Sequence, residues 1–123
     1  MKTNSLRMFG IVLLTSLTIQ GRAMAHAFLD HAEPRVGSTL GKPPGEVKLW
    51  FTQQPEHAFS VVQVFDAAGK PVDQNDTHTD ANDAKELIVS LPELAPGTYK
   101  VVWHVLSIDT HRTQGDFTFT IKQ

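Results

Sequence analysis

The sequence contains no cysteine, so disulfides and thiolate metal sites are both closed to it. Its three methionines, Met1, Met8 and Met24, all fall near the start. From residue 25 onward there is no soft sulfur ligand of any kind. Long hydrophobic runs are also missing. The most apolar stretch near the start, Met8 to Ile19, has 12 residues, too few for a membrane-spanning helix, which needs about 20. No segment carries a 3.6-residue hydrophobic period, which argues against amphipathic helices.

What stands at the start has the three parts of a secretory signal. Lys2 and Arg7 form a positive region, Met8 to Ile19 the apolar region, and Ala23-Met24-Ala25 the small-x-small exit. Residues 1–25 are read as a cleaved signal peptide and residues 26–123 as one domain, not membrane-spanning after cleavage. Of the 11 basic residues, the signal takes Lys2, Arg7 and Arg22 and none of the 13 acidic ones. Eight basic residues against thirteen acidic ones leave a mature charge of −5 with His neutral. An acidic domain repels phosphate backbones, so nucleic acid is not an expected partner. The domain must hold together through its core alone, with little margin at this size.

The rest reads as β-structure. Val47–Phe51 follows a Pro-Pro-Gly turn. Phe59–Asp66 is a second strand, with Ala67–Lys70 as a hairpin turn and Pro71-Val72 starting its return. Residues 73–84 are polar and are read as an exposed loop. Glu86–Leu91, Thr98–Ile108 and Asp116–Ile121 are further strands, the second of them central. A short first strand, Ala27–Asp30, fixes the start of the domain to a sheet. The fold class is all-β, an Ig-like or cupredoxin-like Greek-key sandwich or barrel. Trp50, Phe51, Tyr99, Trp103, Phe117 and Phe119 are expected in the core.

The chemistry gathers at two places. Cleavage after Ala25 would make His26 the first residue, and its α-amine and imidazole Nδ1 could then chelate one ion. Nitrogen donors in a plane suit Cu(II), which prefers tetragonal N/O surroundings. Asp109 and His111 follow the central strand two residues apart, and in extended backbone such residues point to the same side. With His26 they would supply three nitrogens and one oxygen. His104 has the opposite strand parity to Trp103 and is expected to be a core or cross-sheet histidine. His31 is about 16 Å of extended chain from His26. His78 is expected on a solvated face, and His57 has no evident partner.

These residues carry a resemblance. The start "HAFLDHAEPRVGSTL", the segment "VKLWFTQQPE" and above all "LAPGTYKVVWHVLSIDTHRTQGDFTFTI" resemble the CopC family of periplasmic copper-binding proteins, in particular its small single-domain members. The resemblance implies a β-sandwich or barrel and a periplasmic location. It implies a role in copper homeostasis or resistance by buffering, storage or delivery, without enzymatic activity. It also implies one Cu(II) per mature chain at His26, Asp109 and His111, and an inner-membrane copper-transport partner of CopD type. Three departures stand out. Phe28 replaces a histidine that is common at the third mature position. Gln53 stands where an acidic residue is frequent. Thr110 replaces a glycine between Asp109 and His111 and is expected to keep the extended spacing. Two other readings remain at this point. One is a copper-dependent oxidative enzyme with an N-terminal histidine brace, as in lytic polysaccharide monooxygenases. The other is a metal-free Ig-like interaction module.

Overall fold

A computed structural model describes residues 29–123. Eight strands follow in chain order: β1 (Leu29–Glu33), β2 (Thr39–Leu40), β3 (Glu46–Phe51), β4 (Val61–Phe65), β5 (His78–Asp80), β6 (Asp83–Ser90), β7 (Gly97–Leu106) and β8 (Arg112–Ile121). A single 3₁₀ turn, His57–Phe59, precedes β4. The strands form two four-stranded sheets, ordered β1-β3-β6-β5 and β2-β8-β7-β4. β2 runs parallel to β8; the other pairs are antiparallel. The architecture is an all-β sandwich, and β7 lies inside its sheet as the apolar run predicts.

Period-2 alternation decides what each strand buries. Val47, Leu49 and Phe51 of β3 and Leu87 and Val89 of β6 face inward from the first sheet. Val62, Val64, Val101, Trp103, Val105, Phe117, Phe119 and Ile121 meet them from the second. Full burial of each such side chain is worth about 1.5–3 kcal/mol, and these contacts must supply what disulfides cannot. Trp103, fully buried, packs edge-on against Phe51 of the opposite sheet with ring centroids 5.3 Å apart.

Several expectations need correction. Residues 73–84 are not an exposed loop, since they contain β5 and the start of β6. Much of the segment is exposed, as expected, but several of its polar side chains bond to backbone. Asp73 accepts the Val64 N–H at 2.9 Å, Asp76 accepts the Ser90 N–H at 2.8 Å, and the Thr77 hydroxyl bonds both N–H and C=O of Val62. β4 is an edge strand, and this segment covers groups that would otherwise be left open. The expected return at Pro71-Val72 is confined to a bridge from Phe65 to Pro71 and a bond from the Val72 N–H to Val64. The expected strand at Phe59 starts only at Val61, and Phe59 is exposed in the 3₁₀ turn.

Trp50 is not a core residue. It alternates with Leu49 and Phe51 and so faces outward, stacked on His31 with centroids 4.3 Å apart and planes 8° off parallel. His104 is exposed rather than internal. It pairs across its sheet with Val61 and Gln114, on the side opposite Trp103. The first strand begins at Leu29 and runs to Glu33; Ala27 and Phe28 lie outside the described residues.

Candidate metal centre

β7 and β8 pair over ten positions, from Gly97 with Ile121 to Leu106 with Arg112. Ser107 to His111 form the tip that joins them. The Ser107 N–H donates to the His111 carbonyl at 2.9 Å, and the Thr110 N–H donates to the Ser107 carbonyl at 2.8 Å. Both bonds close the tip into a tight turn. The segment after β3 lies along it: Pro55 bridges Ser107, the Ile108 N–H donates to Gln54, and the Glu56 N–H donates to Leu106.

Asp109 and His111 do come together, with Asp109 Oδ1 3.3 Å from His111 Nδ1. The cause differs from the one expected. The backbone between them is not extended, because Thr110 has φ 74°, in the left-handed region. That region suits glycine and is unfavourable for a β-branched residue. The turn, not strand periodicity, brings the two side chains to one side.

The Asp109 carboxylate is held from below. Ser107, 1% exposed, donates its hydroxyl to Asp109 Oδ1. The His111 N–H reaches both the Ser107 hydroxyl and Asp109 Oδ1, each at 3.3 Å. The Ser107 hydroxyl, outweighing a small desolvation cost and helped by the N–H and ring of His111, holds the Asp109 carboxyl below the usual carboxylate range. It is therefore ionised at neutral pH, an anionic oxygen donor beside an imidazole. The His111 side chain is 80% exposed and that of Asp109 45%, so an ion from solution has access.

Among the described residues, no group of three or more His, Asp or Glu side chains is arranged to hold a metal ion. Asp109 and His111 make a pair of side chains, fewer than the three such a group requires. His26, the third expected ligand, lies outside the described residues. The structure does fix where the chain enters the first sheet. Leu29 pairs with Phe51, the last residue of β3, and the segment leaving Phe51 is the one that lies along the tip. The other histidines are elsewhere. His31 is stacked on Trp50 with its Nδ1 2.6 Å from Asp30, and His78 is bonded to the Asp76 carbonyl. His57 sits in the 3₁₀ turn and His104 on the outer face of the second sheet. The residue that sequence reading passed over is Ser107. Its only signal was position, two before Asp109 and four before His111.

Comparison with known proteins places the chain in a family and agrees with the β-sandwich fold. The family model described as the CopC domain matches residues 29–122. Protein YobA of Escherichia coli K12 is 34% identical over 115 residues, covering 93% of each chain. The crystal structure of CopC from Methylosinus trichosporium OB3b superposes with a TM-score of 0.73 at 36% identity, covering 77% of this chain and 92% of that one. PcoC, a methionine-rich copper resistance protein from Escherichia coli, superposes at 0.69 with 28% identity, covering 77% and 97%. Among the described residues no helix is long and apolar enough to cross a membrane. A β-sandwich whose β7–β8 tip carries an ionised Asp109 beside His111 thus also matches that family's model along nearly all of its described length: this chain belongs to the CopC family of copper-related proteins.

Proposed function

We propose that the chain is cut after Ala25 and that the resulting periplasmic protein, residues 26–123, binds one Cu(II). The α-amine and imidazole of His26 would hold it together with Asp109 and His111. Its role is to buffer, store or deliver copper rather than to catalyse a reaction. One observation carries this reading. The open pair of donors at the β7–β8 tip lies beside the segment that leaves Phe51, and Phe51 is the residue on which β1 begins. His26 is three residue steps from Leu29, a reach of about 10 Å at 3.3–3.6 Å per residue, so a free His26 amine has a short tether to that end of the sandwich.

The donor chemistry supports Cu(II). The set contains nitrogen and carboxylate oxygen with no sulfur, which favours Cu(II) over Cu(I). A Cu(I) methionine site is not proposed, since residues 26–123 contain no methionine. That distinguishes this chain from a relative described as methionine-rich. An inner-membrane copper-transport protein of CopD type is the proposed acceptor or donor.

The test compares two proteins by Cu(II) titration and electron paramagnetic resonance. One begins at His26, confirmed by intact mass; the other carries one additional Gly before it. The first should bind one tight Cu(II) and the second should bind far more weakly. Equal binding by both would remove the amine from the site.

A further inference from the structure

The tip holds a group that no metal-ligand assignment includes. Ser107 is almost wholly buried, yet its hydroxyl points at Asp109 rather than into the core. A hydroxyl has one hydrogen to give. Two acceptors compete for it, Asp109 Oδ1 and the His111 carbonyl at 3.3 Å. The carboxylate is charged and makes the stronger bond, and the carbonyl already receives the Ser107 N–H at 2.9 Å. Asp109 Oδ1 is therefore occupied by the Ser107 hydroxyl and the His111 N–H. Oδ2 has no hydrogen-bond partner among the described residues.

We infer that Ser107 is the positioning residue of this centre: its buried hydroxyl anchors Asp109 by Oδ1 and turns the carboxylate so that it offers a single oxygen, Oδ2, to the ion. The inference rests on the copper reading above. It goes further by assigning how the oxygen donor is aimed. Without the anchor, Asp109 would be an exposed side chain on a strained turn, free to rotate or to offer both oxygens. Ordering it would then cost side-chain entropy at the moment of binding. Ser107 itself is fixed by the backbone closure to His111 and by the Pro55 bridge, so the order of the tip passes to the carboxylate.

The test is a double-substitution cycle on the processed chain beginning at His26, with Ser107→Ala, Asp109→Ala and both together. Loss of partners that orient metal ligands costs 10–100-fold in affinity, and the exposed site here places Ser107→Ala near tenfold. Its Cu(II) resonance spectrum should move toward that of Asp109→Ala. In the Asp109→Ala background, Ser107→Ala should have no further effect, because its partner is gone. In the unsubstituted metal-free protein, the Ser107 hydroxyl proton should be visible by NMR as a slowly exchanging resonance. A parent that binds Cu(II) with Ser107→Ala unchanged in affinity and spectrum overturns the inference while leaving the copper reading intact. So does an equal loss in both backgrounds, which would mark a merely structural role, or a hydroxyl proton exchanging too fast to see. A parent that binds no Cu(II) overturns both readings.

Discussion

Among the described residues, two histidine side chains stand against aspartate carboxylates, and the two pairs are built differently. Asp30 and His31 on β1 approach to 2.6 Å; Asp109 and His111 at the β7–β8 tip stand at 3.3 Å. The tighter pair is built into a surface. The His31 ring lies flat on Trp50, its cross-strand partner, and Trp50 in turn pairs with Glu86 on β6 and bonds to it. Such a stack adds about 0.5–1.5 kcal/mol beyond burial. The looser pair leaves the His111 side chain four-fifths exposed, while its carboxylate is anchored by a buried hydroxyl. One pair uses its polar atoms to finish a sheet face. The other keeps them available.

Substitution can break this contrast most sharply at the histidines. His111→Ala should weaken Cu(II) binding by more than about 100-fold, beyond the usual loss of a mere orienting partner. His31→Ala should leave affinity within about twofold, change the fluorescence of Trp50, and lower stability by about 0.5–1.5 kcal/mol. Competition titration and thermal unfolding measure both. A copper affinity that follows His31 instead would exchange the roles of the two pairs.

The next effect lies in the backbone of the tip. A non-glycine residue in the left-handed region costs about 1–2 kcal/mol, partly offset by the entropy that glycine loses on folding, about 0.5–1 kcal/mol. Thr110→Gly should therefore stabilise the metal-free protein by about 0.5–1 kcal/mol in denaturant unfolding. The Ser107–Asp109–His111 bonds should remain. A destabilised Thr110→Gly protein would mean that Thr110 makes contacts that outweigh its strain.

The smallest effect separates the two carboxylates that border the pairs. Asp109 is held below the ordinary range, chiefly by the Ser107 hydroxyl; its contribution to stability is present above the unfolded carboxylate value and is lost as pH falls through the lower folded one. Glu86 is shifted the other way, chiefly by burial and then by the charges of Asp80 and Asp83, against the pull of Lys48 and the Trp50 hydrogen bond. A raised folded value means that stability falls as pH rises from the unfolded value through the folded one. At neutral pH the full cost of ionising Glu86 is present. Glu86→Gln should thus raise Tm slightly at pH 7, and the gain should vanish below about pH 4, where both states are protonated. A gain independent of pH would assign the effect to packing.

Much of this was legible from residue patterns. Alternation in "EVKLWF" and "GTYKVVWHVL" is enough to set inner and outer faces, and applied strictly it puts Trp50 outside and His104 in solvent. Size and apolar context alone favour the core for Trp50 and a core or cross-sheet place for His104. Parity is the stronger rule in a two-layer sandwich, since each strand has only one inner face. Polar composition misled at 73–84, because the signal for a solvated loop is also the signal for side chains that bond to backbone. Nothing in the order of residues distinguishes Asp73 on the Val64 N–H from an aspartate in water.

The sequence by itself determined the β-class, most strand positions, the absence of cysteine and of any methionine beyond residue 24, and the Asp109–His111 pair, because these depend on local pattern and residue type. Only the tertiary structure decided that the pair meets through a left-handed turn at Thr110, and that a buried Ser107 anchors the carboxylate. It also decided that β1 begins beside the segment flanking that turn, and that the His31 ring, with the shorter carboxylate contact, stacks on Trp50. The physical reason is that each of these depends on pairing between strands distant in sequence, and register across a sheet is set by the packed core rather than by any one segment.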